Sequence, residues 1–391
     1  MPGLYLHVPF CVRRCLYCDF YIVPLGEGTL PKRLRDFRSL KHRGFLRALE
    51  AELRALPSAF RPETLYVGGG TPTELPLEDL QHLLQLIEDH VDLSKVREFT
   101  LEANPGTLDA DMVDLIANSA VDRVSLGVQS FDNPTLEALG RIHNAEEARQ
   151  SFHLLREAGI RNLGVDLLFA LPQKNEKRDE STLQTNLEAL AELSPEHVSW
   201  YSLEFEPGTA FTEMRDKGFL QEPDGEQADL EYRKIRNGLR ELGYTQYELF
   251  SFTRKHPCDH NINYWRGGEF MGCGPSAHSH SHGARWSNPA DLTLWTQAWL
   301  HGHPPETVKE SLSPEAKARE RLITELRLTR GISPATFAAE TGFHPRELIP
   351  AELLAEWTRN NWLADHGDHL KLRPPAYLIS DALFREIVPS L

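Results

Sequence analysis

The chain has 391 residues, 40% hydrophobic and 25% charged, which are ordinary proportions for a globular protein. A net charge of −15 argues against nucleic acid as a partner, because phosphates must be met by a basic face. There is no run of about 18 apolar residues to cross a membrane, and "MPGLYLHVPF" lacks a signal-peptide pattern. Five cysteines, three of them clustered, do not suit a secreted disulfide framework, so a reducing cytoplasm is the expected location.

The first predicted strand is "LYLHV" (4–8), and the loop after it holds the clustered cysteines. A basic run, "PKRLRDFRSLKHRGFLR" (31–47), reads as the solvated face of an amphipathic helix with Leu34, Phe37 and Leu46 facing inward. A peripheral membrane or partner contact is the alternative reading of that run. Further strands are expected at 64–70, 98–104, 123–129, 163–172 and 197–205. Helical spacing lies between them at 43–56, 77–90, 108–118, 145–158 and 181–193, with Asp109 as one start signal and Asn133-Pro134 as another. Strand and helix alternating in this way predict an α/β fold with a parallel sheet. In such folds the loops at the carboxyl ends of the strands form the site.

The pattern changes near Glu226. A helix (226–242) and a strand-like "TQYELFSF" (245–252) lead into a stretch rich in glycine, histidine and aromatics, ending near Asn288. Helical segments follow at 313–328, 334–341 and 346–360, then a strand-like "HLKLRP" (369–374). We expect one domain over 1–304 and a mainly helical, winged-helix-like accessory domain over 305–391.

The loop sequence "HVPFCVRRCLYCDF" places Cys11, Cys15 and Cys18 at C-x3-C-x2-C spacing. Three thiolates are one short of the four that usually hold a [4Fe–4S] cube, which leaves one iron open to a non-protein ligand. Three free thiols packed as small hydrophobes, or a zinc site completed by a distant histidine, are the alternatives. The motif, with Tyr17 before its last cysteine, resembles the radical S-adenosylmethionine (SAM) superfamily. There the open iron is chelated by SAM, and one electron releases a 5′-deoxyadenosyl radical. The similarity continues through "YLHVPFC", "GGGTPT" (68–73), "LEANP", "GVQSF", "LGRIHN" and "VDLLFALP", nearest to the oxygen-independent coproporphyrinogen oxidase branch. The resemblance implies a partial (βα)6 TIM-like barrel in which Tyr5, Gly69, Gly70, Thr71, Glu102, Gln129, Arg141 and Asp166 surround one or two SAM molecules. The glycine-rich turn would bond the methionyl amino group. Bottom-up, glycines admit close backbone approach, carboxylates can accept from ribose hydroxyls, and an arginine can clamp a carboxylate.

The stretch 256–286 holds His256, His260, His278, His280 and His282 with Cys258 and Cys273. Read from residues alone it is a metal site, a tetrapyrrole site or a buried polar network; Cys258-x-His260 with His278-x-His280 is the zinc version. "HNINYW" (260–265) is similar to the H-N-x-x-Y-W run of the HemW-type haem chaperones, which implies His260 as a haem ligand. The true oxidase carries a fourth cysteine where this chain has Phe20. It also has an N-terminal extension, whereas Met1 here stands shortly before Cys11. The resemblance therefore favours a chaperone that binds haem and delivers it to apo-haem proteins such as respiratory enzymes. It further implies an electron donor and a homodimer. The oxidase, decarboxylating coproporphyrinogen with SAM, is the alternative, and no catalytic residue is assigned.

Overall fold

Six apolar runs form the strands that their spacing predicts: β1 (Gly3–Val8), β2 (Thr64–Gly69), β3 (Glu98–Ala103), β4 (Arg123–Gln129), β5 (Asn162–Phe169) and β6 (His197–Ser202). They lie side by side, parallel, in chain order. Helices α1 (Lys32–Arg54), α2 (Leu77–His90), α3 (Ala110–Ala117), α4 (Asn133–Leu139), α5 (Ala145–Glu157) and α6 (Ser181–Leu193) make the returns. This computed structural model describes residues 2–26, 32–172, 181–305, 307 and 309–388, with only the backbone of 32–38.

Strand residues of one parity, such as Leu4, Leu6, Leu65, Val67, Leu101, Val124 and Val165, are buried beneath the helices. Those of the other parity are largely polar, including Tyr66, Glu102, Arg123, Ser125, Asp166 and Ser199, and they line the opposite, hollow face of the sheet. Side chains alternate faces along a strand, so a single backbone carries the core on one side and a polar cavity on the other. Caps set the helix starts. The Asp109 carboxylate accepts from Met112 N–H, and α5 opens on a capping box between Asn144 and Glu147. Asp132, rather than Asn133, caps α4, with Pro134 in its first turn.

Beyond β6 come α7 (Ala210–Asp216), α8 (Gly225–Glu241), β7 (Ser251–Thr253), α9 (Asp259–Trp265), β8 (Phe270–Cys273), β9 (His278–Ser281), β10 (Ala284–Ser287) and α10 (Leu292–Leu300). The sheet does not close. β8 pairs parallel with β1, followed by β9 and β10, while β7 pairs antiparallel with β6 at the other edge. The run 245–252 is not one strand: Thr245–Gln246 turns back on β7, with Tyr247 N–H donating to the Ser251 carbonyl. Leu46 is buried as expected of the basic helix, whereas the side chains of Leu34 and Phe37 lie outside the described residues.

The last segment packs α11 (Pro314–Glu325), α12 (Pro334–Thr341), α13 (Ala351–Arg359), the hairpin β11 (Leu363–Asp365) and β12 (Leu370–Leu372), and α14 (Ser380–Ile387). Leu322, Phe337, Trp357, Leu372 and Phe384 form its core. Pro350 delays α13, which starts at Ala351 rather than 346. Three helices followed by a two-stranded wing match the expected winged-helix pattern. Among the described residues no helix is long and apolar enough to cross a membrane.

Candidate functional site

The cysteine loop crosses the carboxyl ends of the strands. Arg13 pins it by donating from Nε to the Gly140 carbonyl (3.0 Å) and from Nη2 to the Arg141 carbonyl (2.9 Å). Arg14 closes its far end through Nη1 to the Cys18 and Phe20 carbonyls (2.9 and 3.0 Å). Under the loop, Leu139, Leu203, Phe211 and Leu220 make a small apolar cluster on which Leu16 and Tyr17 rest. Cys11, Cys15 and Cys18 all open onto one cavity of about 410 Å³, a volume suited to a small cofactor. Burial pushes the Cys11 thiol up to about 12 and raises Cys18 as well, so these thiols stay protonated unless a metal takes the proton's place. Among the described residues no three metal-binding side chains converge on one ion. A multi-iron centre takes three thiolates with each on its own iron.

A hydrogen-bonded chain joins two of the cysteines. Cys11 Sγ lies 3.5 Å from Thr71 Oγ1, which accepts from Asn104 Nδ2 at 2.7 Å. Asn104 Oδ1 accepts from Arg141 Nη2 at 2.7 Å, and Arg141 Nη1 donates to Cys15 Sγ at 3.4 Å. Guanidinium can only donate, so the Asn104 amide orientation is fixed and its NH2 must face Thr71. Arg141 Nη2 also reaches the Gly127 carbonyl at 2.6 Å, while its buried Nε is without a partner among the described residues.

The glycine-rich turn forms the cavity's edge. A Cβ on Gly70 would stand 2.6 Å from the Phe10 carbonyl oxygen, and one on Gly68 would strike the Glu102 carboxylate. Gly69 has φ +103, a conformation side chains resist. Its N–H donates to Glu102 Oε2 at 3.0 Å, and the Tyr66 hydroxyl donates to Glu102 Oε1 at 2.7 Å. Burial, with Asp166 nearby, raises Glu102 to about 7. Asp166 accepts from Ser125 Oγ at 2.9 Å and is likewise raised by burial. Gln129, at the end of β4 where the register shifts, holds φ 70, a strained value for a non-glycine residue facing a site.

The expected site residues Cys11, Cys15, Tyr17, Cys18, Gly69, Gly70, Thr71, Glu102, Gln129, Arg141 and Asp166 thus share one cavity. Arg123, Asn104, Tyr66, Ser125, Ser199 and Tyr201 also line it, and motif spacing does not single them out. Their signal is the polar parity of the strands. Tyr5 and His260 stand apart from this cavity.

Tyr5 lines a second, larger cavity of about 1130 Å³ between the sheet and the C-terminal segment. Its hydroxyl donates to His7 Nδ1 (3.0 Å), whose Nε2 donates to the Tyr21 carbonyl (2.8 Å). The two cavities share Phe20, Gly69 and Glu102 as a common wall. His260 lines neither cavity. It sits at the amino ends of β1 and β2, with Nδ1 2.9 Å from Thr64 Oγ1 and Nε2 2.7 Å from the Tyr264 hydroxyl. Burial lowers its pKa to about 3, and both ring nitrogens are engaged. In this arrangement it offers no free lone pair to haem iron. Cys258 donates to Glu98 Oε1 (3.4 Å) and His280 bonds the Gly268 carbonyl (3.2 Å), so the zinc set does not converge either.

Residues 5–185 match the radical SAM superfamily, and residues 312–379 match the HemN C-terminal domain. The heme chaperone HemW of Bacillus subtilis is 32% identical over 358 residues, 90% of each chain. That of Mycobacterium tuberculosis is 32% identical over 392 residues, 99% of this chain and 94% of that one. The chain belongs to the HemW family of radical SAM proteins. HemW of Escherichia coli is 35% identical over 277 residues, covering 71% of this chain and 69% of that one. In fold the chain is similar to Escherichia coli coproporphyrinogen III oxidase (HemN), a radical SAM enzyme, with a TM-score of 0.80 at 20% identity over 100% of this chain and 91% of that one.

Proposed function

We propose that the chain carries a [4Fe–4S] cluster on Cys11, Cys15 and Cys18, takes SAM in the adjoining cavity, and binds haem for delivery to apo-haem proteins. One observation carries the cargo assignment: similarity to proteins named heme chaperones runs through 90% or more of the chain. Phe20 adds to it, because it stands where the oxidase resemblance requires a fourth cysteine. When bound, the cluster and SAM supply one-electron chemistry, and the reductant would come from a separate electron donor. The chain's own part is positional. Glu102 and Asp166 present carboxylates to a polar, cationic ligand, the 68–71 turn holds its edge of the cavity by committing the Gly69, Gly70 and Thr71 N–H groups to Glu102, Val8 and Phe10, and Arg141 faces the thiolates with a fixed positive charge. We also place the division between barrel and accessory domain after residue 304.

The test is reconstitution of the cluster without oxygen, followed by haem, and separately by coproporphyrinogen with SAM and a reductant. A stable haem spectrum without turnover is expected. Conversion of coproporphyrinogen to protoporphyrinogen would overturn the chaperone reading in favour of the oxidase. Iron and sulfide content should collapse in Cys15→Ala, and full retention would remove the cluster assignment.

A further inference from the structure

A line of rings crosses from the cysteine cavity to the second cavity. Tyr66 lines the first, while Tyr5, His7 and Tyr21 line the second. Tyr66 and Tyr5 stand in register on neighbouring strands, with ring centroids 6.2 Å apart. Tyr5 lies 6.0 Å from His7, and His7 lies 6.3 Å from Tyr21. An electron removed from the innermost ring can therefore be replaced from the next one out. A branch also leaves Tyr66 through His260 (5.2 Å) to Tyr264, 4.7 Å beyond it.

A phenol is hard to oxidise unless its proton leaves with the electron. Both inner tyrosines have a base in place for that proton. The Tyr66 hydroxyl donates to Glu102 Oε1 at 2.7 Å, and the Tyr5 hydroxyl donates to His7 Nδ1 at 3.0 Å. The Tyr21 carbonyl, 2.8 Å from His7 Nε2, can only accept, so Nε2 carries the proton and Nδ1 the lone pair. Burial lowers the pKa of His7 and keeps Nδ1 unprotonated, and Glu102, at about 7, is a carboxylate in mildly alkaline solution. Tyr21 is the outlet. It is half-buried, and its oxygen accepts from Leu292 N–H at 2.6 Å, so its own proton can pass to solvent.

We propose that Tyr66, Tyr5 and Tyr21 form a one-electron relay that carries an oxidising equivalent out of the cysteine cavity, with Glu102 and His7 as proton acceptors. The proposal rests on the cluster assignment, because the oxidant is the hydroxyl radical that hydrogen peroxide yields there: one electron from iron breaks the O–O bond and releases hydroxide. The radical takes one electron from Tyr66 and becomes hydroxide, while the phenol proton crosses to Glu102. Tyr5 then reduces Tyr66, which recovers its proton from Glu102, and the Tyr5 proton passes to His7 Nδ1. Tyr21 reduces Tyr5 in the same way and sheds its proton to water. A small thiol returns a hydrogen atom to Tyr21, and two of the resulting thiyl radicals join as a disulfide. The oxidant is thus consumed away from the thiolates that hold the iron.

The test treats the full-length, cluster-reconstituted protein with peroxide and a nitroso spin trap in mildly alkaline, thiol-free buffer, and maps the trap adducts by mass spectrometry. In the wild type the adduct is expected on Tyr21, and added thiol should remove it. Tyr5→Phe keeps the ring but has no phenol proton to lose, so the Tyr21 adduct should vanish and an adduct should remain on Tyr66. Tyr66→Phe should abolish the adducts on both Tyr5 and Tyr21. Persistence of the Tyr21 adduct in either variant would show attack from solution and overturn the relay. An adduct on Tyr264 in place of Tyr21, or none on any of the three tyrosines of the iron-loaded wild type, would overturn it as well. Absence of iron and sulfide from the reconstituted wild type would instead overturn the cluster assignment.

Discussion

Asn104 makes no contact with a thiol, yet both of its amide groups are committed to residues that do. It holds the Thr71 hydroxyl toward Cys11 and the Arg141 guanidinium toward Cys15. Asn104→Ala leaves a buried guanidinium N–H without its acceptor, at a cost of about 1–3 kcal/mol. A chelator should then strip iron from the reconstituted protein about tenfold faster than from wild type; an unchanged rate would mean the bridge does not hold the cysteines. The cysteines are plain from their spacing. Asn104 is not, although it lies inside "LEANP", because its role depends on two partners 33 and 37 residues away. His260 shows the opposite failure. Its motif is legible, but Thr64 lies 196 residues upstream, and no local pattern reveals that this hydroxyl takes up Nδ1.

For the strands, hydrophobic periodicity is enough to locate β1 to β6, because parallel strands need an apolar face beneath the helices. The same period-two rule, applied to the polar residues, separates Tyr66, Arg123, Ser125 and Ser199 from the core on sequence grounds alone. Short elements such as α7, α9 and α10 escape it, although α3 and α12, eight residues each, do not. The turn after β2 has little slack. Gly70→Ala would push a methyl into the backbone carbonyls of Phe10 and Val8, which cannot swing aside as a side chain would. We expect a loss of about 1–3 kcal/mol in denaturant unfolding, together with reduced cluster loading. A variant as stable and as fully loaded as wild type would show that the loop can move.

For the whole molecule, His143 gives a pH signature that one substitution can isolate. It is buried, its Nε2 donates to the Val128 carbonyl at 3.0 Å, and burial together with nearby Arg141 lowers its pKa to about 3. Unfolded histidine titrates near 6.5, so below that pH the unfolded chain binds the extra proton. The contribution is present in full above pH 6.5 and is lost as pH falls toward 3. Between pH 6.5 and 5 this amounts to roughly 2 kcal/mol. His143→Gln keeps a donor for Val128 and should remove that share of the acid-side loss, read as the difference in unfolding free energy between pH 7 and pH 5. An identical slope in both proteins would assign the loss elsewhere. The barrel's parallel sheet is legible at this scale, but its packing against α11 is not, since a cavity between distant segments leaves no trace in local sequence. The wall of Phe20, Gly69 and Glu102 has a further consequence. The two chambers share three residues, so an occupant that shifts any of them from one side changes affinity on the other, and linkage makes the influence mutual. Whatever factor an occupant of one chamber imposes on affinity in the other must be returned unchanged, so loading and release would be two readings of a single equilibrium.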